Sequence, residues 1–203
     1  MSLARGRPSA PEHQPASFAF TEENLAEARA TIAKYPAGRQ QSAVMPLLYI
    51  VQRQMGWVPV AAMDVVADML EMPRVGVYEV ATFYTMYNLE PVGQYLIQVC
   101  TTTPCMLRDS DGIADACMNH LGIGWEETTA DGKFTLKEVE CLGACANAPM
   151  VQINDDFYED LTPQTMVGLL EALARGEAVK PGPQNGRHSS EPEGGPTTLK
   201  GGA

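Results

Sequence analysis

The sequence predicts an α+β protein, in which an N-terminal helical bundle is followed by a small α/β domain. Two observations lead to this prediction. Apolar residues recur at helical spacing up to about residue 90, whereas short, nearly continuous apolar runs typical of strands follow from residue 95. With 203 residues, 45% of them hydrophobic, the chain is long enough for one large or two small packed domains.

Four parts are predicted along the chain: a flexible arm over residues 1–18, the helical bundle over 19–90, the α/β domain over 91–178 and an extended tail over 179–203. The arm is rich in Pro, Ser and Ala, and the tail in Gly, Pro, Ser and Thr. Neither has an apolar pattern that could bury a core. No apolar run approaches the roughly 20 residues of a membrane-spanning helix.

Four helices are predicted in the bundle. Thr21 and Ser42 can cap the first two through their side-chain oxygens, and the third begins at Pro59. The fourth covers residues 75–87. Its aromatic residues are expected to form a face that packs on the neighbouring helices: Phe83, Tyr84 and Tyr87.

Two strands of the second half each lead into a pair of cysteines. Residues 95–99 form a buried strand that ends at Cys100, and Phe134–Val139 forms a strand that runs directly into Cys141. A helix over residues 105–121 connects them. Two neighbouring strands would therefore bring both cysteine pairs to one end of the sheet.

The remaining pattern completes a small sheet covered by helices. Residues 150–153 and 157–159 can pair as a hairpin, because the intervening Asn and Asp residues tolerate positive φ. Thr162 and Pro163 are a good cap and first residue for a last helix. We expect this helix and the one over 105–121 to pack on the sheet.

The cysteines are the strongest chemical signal, in the pattern C-x4-C-x35-C-x3-C. Soft thiolates gathered at one sheet edge can ligate an iron–sulfur cluster or zinc. Structural zinc sites usually use tight C-x2-C turns, and neither pair has that spacing, so a [2Fe–2S] cluster is favoured. Zinc, a redox-active disulfide and inert core thiols remain open on spacing alone. The four candidate ligands are Cys100, Cys105, Cys141 and Cys145.

The residues around these cysteines favour the cluster. Gly143, Ala144 and Ala146 are small, so backbone N–H groups can approach sulfur. Pro104 fits the first turn of a helix, which would place Cys105 near a helix N-terminus, where partial positive charge favours a thiolate.

The fifth cysteine has a different setting. Cys117 lies on the apolar face of its predicted helix, with Ile113 and Leu121 one turn away on either side, so we expect a buried structural thiol. The three histidines have no cysteine or carboxylate beside them at ligand spacing: His13, His120 and His188.

Several other functions lack their motifs. The sequence contains no G-x-G-x-x-G after a strand, no G-x-x-x-x-G-K-[ST] and no G-x-S-x-G, so it offers no cradle for a dinucleotide or ATP and no serine nucleophile elbow. It has no C-x-x-C for thiol–disulfide exchange. A net charge of −11 argues against nucleic-acid binding and suits solubility or a charge-matched protein partner.

Six segments of the sequence together carry a resemblance to a known family. They are SAVMPLL (42–48), GW (56–57), EVATFY (79–84), CTTTPC (100–105), ECLGACANAPM (140–150) and YEDLT (158–162). These segments resemble the small thioredoxin-like [2Fe–2S] subunit of the NADH-dehydrogenase module of respiratory complex I. All four cysteine positions agree with the pattern of that family, and the tail is closest to its mitochondrial members.

The resemblance implies a thioredoxin-like domain over residues 91–178 that carries one [2Fe–2S] cluster on the four cysteines. It implies a larger partner subunit that holds FMN and binds NADH, other peripheral-arm subunits, and no complete active site on this chain. It places the chain at the matrix side of the mitochondrial inner membrane, or at the cytoplasmic face of a bacterial plasma membrane. The same type of subunit occurs in soluble NAD-linked hydrogenases and formate dehydrogenases.

Overall fold

The structure, a computed structural model, describes residues 8–192, 194–195 and 197–198. The chain divides into two compact units, the first ending at Val92 and the second beginning at Gly93. The described part of the first unit is helical, and the second contains a sheet. Within the described residues, no helix is long and apolar enough to cross a membrane.

Over residues 8–92, the first unit has four α-helices: α1 (Glu22–Ile32), α2 (Val44–Met55), α3 (Val60–Leu70) and α4 (Arg74–Phe83). Thr21 caps α1 as predicted, since its side chain accepts a hydrogen bond from the backbone N–H of Asn24. The apolar faces meet in one core, and burying each large side chain there stabilises the unit by about 1.5–3 kcal/mol. Its largest fully buried side chains include Leu47, Leu48, Ile50, Met63 and Leu70.

The predicted start of α2 is wrong. A 3₁₀ turn over Gln40–Ala43 precedes the helix, and no side chain caps it, so Ser42 is not its cap. The hydrogen bonds of the 3₁₀ turn satisfy backbone groups at the start of the helix, in place of a capping side chain.

The end of α4 also differs from the prediction. The helix stops at Phe83, four residues early, and Phe83 is 75% exposed and Tyr84 37% exposed. The predicted packed aromatic face is therefore wrong for both. Tyr87 lies beyond the helix, where it is buried and its hydroxyl donates to the carbonyl of Met45 at 3.0 Å. An apolar helical pattern cannot distinguish a core face from an exposed one.

The described part of the predicted arm contacts the helices. The backbone N–H of Ser9 donates to the carbonyl of Leu89 at 3.0 Å. The side chain of Gln14 accepts from the backbone N–H of Val60 at 2.9 Å. Residues 1–7 of the predicted arm lie outside the described residues.

In its described part, the second unit is built on a mixed sheet of six strands in the order β2-β3-β1-β4-β5-β6. Its central strands β1 and β3 are parallel, and β4 is antiparallel to β1. The strands are β1 (Tyr95–Cys100), β2 (Glu127–Thr128), β3 (Phe134–Val139), β4 (Val151–Ile153), β5 (Asp156–Glu159) and β6 (Gly182–Pro183). The predicted strands and hairpin are confirmed, whereas β2 and β6 are two residues long and carry no apolar alternation by which to predict them.

Among the residues that the structure describes, three α-helices accompany the sheet: α5 (Thr103–Leu107), α6 (Ser110–Leu121) and α7 (Pro163–Ala174). The single helix predicted over residues 105–121 is wrong, because the helix is interrupted at Asp109, whose φ is 75°. Asp tolerates this left-handed conformation better than most residues.

The start of α7 is as predicted. The side chain of Thr162 accepts from the backbone N–H of Thr165 at 3.1 Å, and the Thr165 hydroxyl accepts from the N–H of Thr162 at 2.8 Å, which forms a capping box. The helices α6 and α7 contribute to one buried core with the sheet, which includes Ile97, Ile113, Leu136, Met166 and Leu170.

Candidate metal centre

The parallel pairing of β1 and β3 brings the two cysteine pairs to one edge of the sheet. Cys100 is the last residue of β1 and lies opposite Val139, the last residue of β3. The backbone N–H of Thr101 continues the pairing by donating to the carbonyl of Val139 at 3.3 Å. Cys141 follows two residues later, so both pairs begin at the carboxyl ends of neighbouring strands, the usual place for ligand sites in such sheets.

The first pair is buried in an apolar pocket. Cys100 and Cys105 are 2% and 1% exposed, and they pack with Ala148 and Met150. Burial, and next the hydrogen bond with Cys100, raise the pKa of the Cys105 thiol to about 12. A hydrogen bond from the backbone of Met150 acts in the opposite direction, because it favours the thiolate.

The second pair is exposed. Cys141 and Cys145 lie with their sulfur atoms 3.4 Å apart, and this hydrogen bond is the main cause that raises the pKa of Cys145. Cys145 opens a 3₁₀ turn over Cys145–Asn147. Gly143 has a φ of 87°, which a residue with a Cβ adopts only at a cost, so glycine suits this bend between the two thiols.

The two pairs interact with each other. Negative charge on Cys145 raises the pKa of Cys105, and charge on Cys100 raises that of Cys145. Among the described residues, no group of three or more His, Cys, Asp or Glu side chains is arranged to hold a metal ion. The structure therefore brings the four predicted cysteines to one region, where they form two pairs.

The fifth cysteine lies elsewhere. Cys117 is fully buried in the core between the helices and the sheet, and burial raises its pKa to about 12. This is the structural thiol that the sequence predicted.

Three residues beside the second pair were missed by sequence reasoning. Asn147 and Asp160 are buried polar residues, and Arg187 of the tail forms a nearly buried ion pair with Asp160. The composition of the tail gave no indication of a packed contact. An Arg between Gly186 and His188 does not by itself indicate such a contact.

A family comparison defines the class of protein. Residues 28–174 match the model of the family described as thioredoxin-like [2Fe-2S] ferredoxin. The match covers well over half of the chain, so the chain belongs to this family. The α+β fold with a thioredoxin-like domain is confirmed, and the family supports a [2Fe–2S] cluster as its cofactor.

Within this family, the chain is similar to two proteins whose names are more specific. The chain is 52% identical over 189 residues to the mitochondrial NADH dehydrogenase [ubiquinone] flavoprotein 2 of Dictyostelium discoideum, over 93% of this chain and 76% of the relative. It is 58% identical over 158 residues to an NADH-quinone oxidoreductase subunit of Rickettsia bellii (strain RML369-C), over 77% of this chain and 95% of the relative.

A solved structure shares the fold. The chain superposes with a TM-score of 0.57 on an NAD+-reducing [NiFe]-hydrogenase in the air-oxidized state, with 18% sequence identity. The match covers 64% of this chain and spans 23% of the hydrogenase chain. At this identity the likeness is one of fold.

Proposed function

We propose that this chain is the electron-transfer subunit of an NADH:quinone oxidoreductase, respiratory complex I, and that it holds one [2Fe–2S] cluster. The proposed ligands are Cys100, Cys105, Cys141 and Cys145. The observation that carries the proposal is the placement of the two pairs at the carboxyl ends of the paired parallel strands β1 and β3. High identity to complex I subunits over most of the chain supports the same assignment.

The residues present fit such a cluster. Four thiols can supply two ligands to each iron, which is the complete protein ligand set of a [2Fe–2S] centre. The backbone of Met150 already stabilises the thiolate of Cys105. The hydroxyl oxygen of Thr102, between the first two cysteines, is buried and has no hydrogen-bond partner in the described part of the chain. Cluster sulfur is an acceptor that such a hydroxyl can satisfy.

The cluster supplies one-electron exchange, and the rest of the reaction belongs to a partner subunit. NADH gives up two electrons as a hydride, which a flavin can accept and a single [2Fe–2S] centre cannot. This chain has no glycine-rich dinucleotide motif after a strand. We therefore place FMN and the NADH site on a partner flavoprotein, with this chain in the peripheral arm. The proposed location is the matrix side of the mitochondrial inner membrane, or the cytoplasmic face of a bacterial membrane.

Two features support the assignment of this chain to an assembly: the exposed apolar side chains of the helical unit and the exposed second cysteine pair. In the described part of the helical unit, five large apolar residues are more than a third exposed, and two of them, Phe83 and Tyr84, contact each other with ring centroids 5.0 Å apart. Adjoining exposed aromatic rings are the kind of surface that we propose a partner covers. The five residues are Tyr49, Met55, Val75, Phe83 and Tyr84. The exposed second cysteine pair would leave one side of the cluster accessible for electron exchange.

The test is a reduction experiment on the anaerobically purified full chain. The protein should hold about two irons and two acid-labile sulfides and give an EPR signal after chemical reduction. NADH alone should leave it oxidised, and NADH with the partner flavoprotein should reduce it. Stoichiometric zinc without labile sulfide in iron-replete protein would overturn the proposal. Reduction by NADH without the partner would refute the placement of the NADH site.

A further inference from the structure

The C-terminal tail runs back along the sheet toward the loop that carries the second cysteine pair. β6 pairs in parallel with β5, and Gly182 lies opposite Tyr158. The backbone N–H of Gln184 then donates to the carbonyl of Glu159 at 2.9 Å. The following residues of the tail are held beside the end of β5, within reach of the cysteine loop.

Arg187 is the centre of this contact. Its Nε donates to Oδ2 of Asp160 at 2.9 Å, and its Nη2 donates to the other carboxylate oxygen. Nη2 also donates to the carbonyl oxygen of Ala146 at 3.0 Å, and Nη1 to that of Glu191 at 3.0 Å. The side chains of Arg187 and Asp160 are 10% and 4% exposed, so the pair is bidentate and nearly buried.

Asn147 adds a second tie between the tail and the loop. It is 1% exposed, and its Nδ2 donates to the carbonyl of Ser189 at 2.8 Å. The backbone N–H of Asp160 donates to the carbonyl of Asn147 at 2.8 Å. Asn147 closes the 3₁₀ turn that Cys145 opens, so the tail and Asp160 hold this turn from two sides.

The cysteine loop has few hydrogen bonds of its own. Cys141, Gly143 and Cys145 are exposed, whereas Leu142 and Ala144 pack against the apolar pocket of the first pair. Within the described residues, two backbone hydrogen bonds join residues 144–148 to one another, and they measure 3.0 and 3.4 Å. The hydrogen bonds with the tail and with Asp160 therefore add to this packing in positioning the loop.

We propose that Arg187 is a positioning residue for the second pair of cluster ligands, and that residues 182–191 clamp their loop. The inference rests on the proposed function, because it concerns the ligands of the same cluster. Residues that orient metal ligands without touching the metal typically contribute about 10–100-fold to metal affinity. A lysine has no planar fork, so it cannot reproduce the bidentate pair together with the bond to Ala146.

The ion pair also sets the charge beside the cluster loop. Replacing Arg187 with Gln leaves the carboxylate of Asp160 buried without its cation, whereas Asp160→Asn leaves the guanidinium without its anion. Nearby negative charge disfavours adding an electron to an anionic cluster, and positive charge favours it. The two variants should therefore shift the reduction potential in opposite directions, which loosening of the loop alone would not do.

The experiment uses the full chain with its cluster reconstituted anaerobically. The readouts are the rate of iron loss to a chelator and the reduction potential followed by EPR. Arg187→Gln should lose iron about 10-fold faster or more, with a lower potential than the unsubstituted protein. Asp160→Asn should raise the potential. Compared with Arg187→Gln, Arg187→Lys should bring the reduction potential part of the way back to that of the unsubstituted protein, but it should still lose iron fast. Arg187→Lys becomes the test variant if Arg187→Gln fails to fold.

Arg175→Gln is the matched control, because it removes the same charge from an exposed pair with Glu177 that does not touch the loop. It should leave both readouts unchanged. If Arg187→Gln and Arg187→Lys both behave like this control, the clamp is overturned and the proposed function stands. If the unsubstituted protein holds no iron–sulfur cluster, the proposed function itself fails.

Discussion

At the scale of single residues, the five cysteines differ in what surrounds them. Cys100 and Cys105 are buried beside the backbone of Met150, and Cys141 and Cys145 are exposed on a short loop. Cys117 is enclosed by apolar side chains of the core. Because the first four are the ligands that we propose and Cys117 is not, substitutions should separate the two kinds of thiol.

Alanine at any of the four proposed ligands should abolish or strongly destabilise the cluster, because one of the two irons then lacks one of its two thiolates. Loss of the cluster should also lower the melting temperature, since the cluster ties the loop after β1 to the loop after β3. The absorption and EPR spectra of anaerobically reconstituted variants measure the first effect, and thermal unfolding measures the second.

Cys117→Ala is the control for this series. It removes one small buried group, at a cost of about 1 kcal/mol, and should leave the cluster spectrum unchanged. A folded Cys117→Ala protein without the spectrum would show that the wrong four cysteines were chosen.

The burial of Cys117 also predicts how this thiol responds to pH. Its pKa is raised from 9.0 to about 12, so at pH 9 the folded protein keeps a proton that the unfolded chain begins to lose. The contribution of this thiol to the free energy of unfolding is therefore fully present below pH 9. It falls as the pH rises toward 12, by at most about 1.4 kcal/mol per pH unit. Iodoacetamide at pH 9 should therefore alkylate Cys117 only after denaturation. Alkylation of Cys117 at equal rates in native and denatured protein would contradict its burial.

The four cysteines that we propose as ligands could be selected from the sequence because thiols are rare and their spacing is chemically specific, and the pairing of β1 with β3 that groups them is confirmed. Arg187 could not be selected in this way, because its role depends on Asp160 and Ala146, which lie 27 and 41 residues away in the chain. Contacts over such separations leave no local pattern, and an arginine in a polar tail has the same appearance whether it is buried or solvated.

At the scale of elements, α7 shows a start that local chemistry determines. Thr162→Ala removes the side-chain oxygen that accepts from the N–H of Thr165 and should destabilise the protein by about 1 kcal/mol. The cluster spectrum should be unaffected, because the cap takes no part in the cysteine loops. Urea unfolding of the variant measures the change, and Thr162→Ser, which keeps the hydroxyl, should restore most of it. Equal losses for Ala and Ser would show that the cap contributes nothing.

Other elements departed from prediction where local signals compete with packing. The helix predicted over residues 105–121 includes the run Arg-Asp-Ser-Asp-Gly at 108–112, which has no apolar residue, and there the backbone turns left-handed at Asp109 and divides the helix. Ser42 has the right chemistry for a cap, but the 3₁₀ turn leaves it without that role. The strands that lead to Cys100 and Cys141 were predictable because a buried parallel strand is a continuous apolar run.

At the scale of the whole molecule, the exposed apolar surface of the helical unit suggests how the chain joins an assembly. Phe83→Ser should weaken binding to the partner flavoprotein by about 10-fold or more, because aromatic residues buried at an interface often contribute about 2 kcal/mol or more. Phe83 is 75% exposed, so the variant should fold normally and keep its cluster spectrum. Affinity measured with the purified partner tests this.

Lys34→Ser provides the control, since it shortens an exposed side chain just beyond α1 without removing an apolar surface. It should leave the affinity unchanged. If Phe83→Ser binds as tightly as the unsubstituted chain, Phe83 lies outside the interface, and the role assigned to the helical unit loses its main support.

The pairing of β1 with β3 has a consequence in time as well as in space. During synthesis, Cys100 and Cys105 leave the ribosome well before Cys141 and Cys145, and Arg187 follows later still. The two ligand pairs become neighbours only after β3 has been made and has paired with β1, a contact that closes a long loop and forms slowly compared with a helix. A cluster donor that acts on the growing chain would meet only the first of the two proposed ligand pairs. We therefore expect the cluster to be inserted only after the second cysteine pair has been made and β3 has paired with β1.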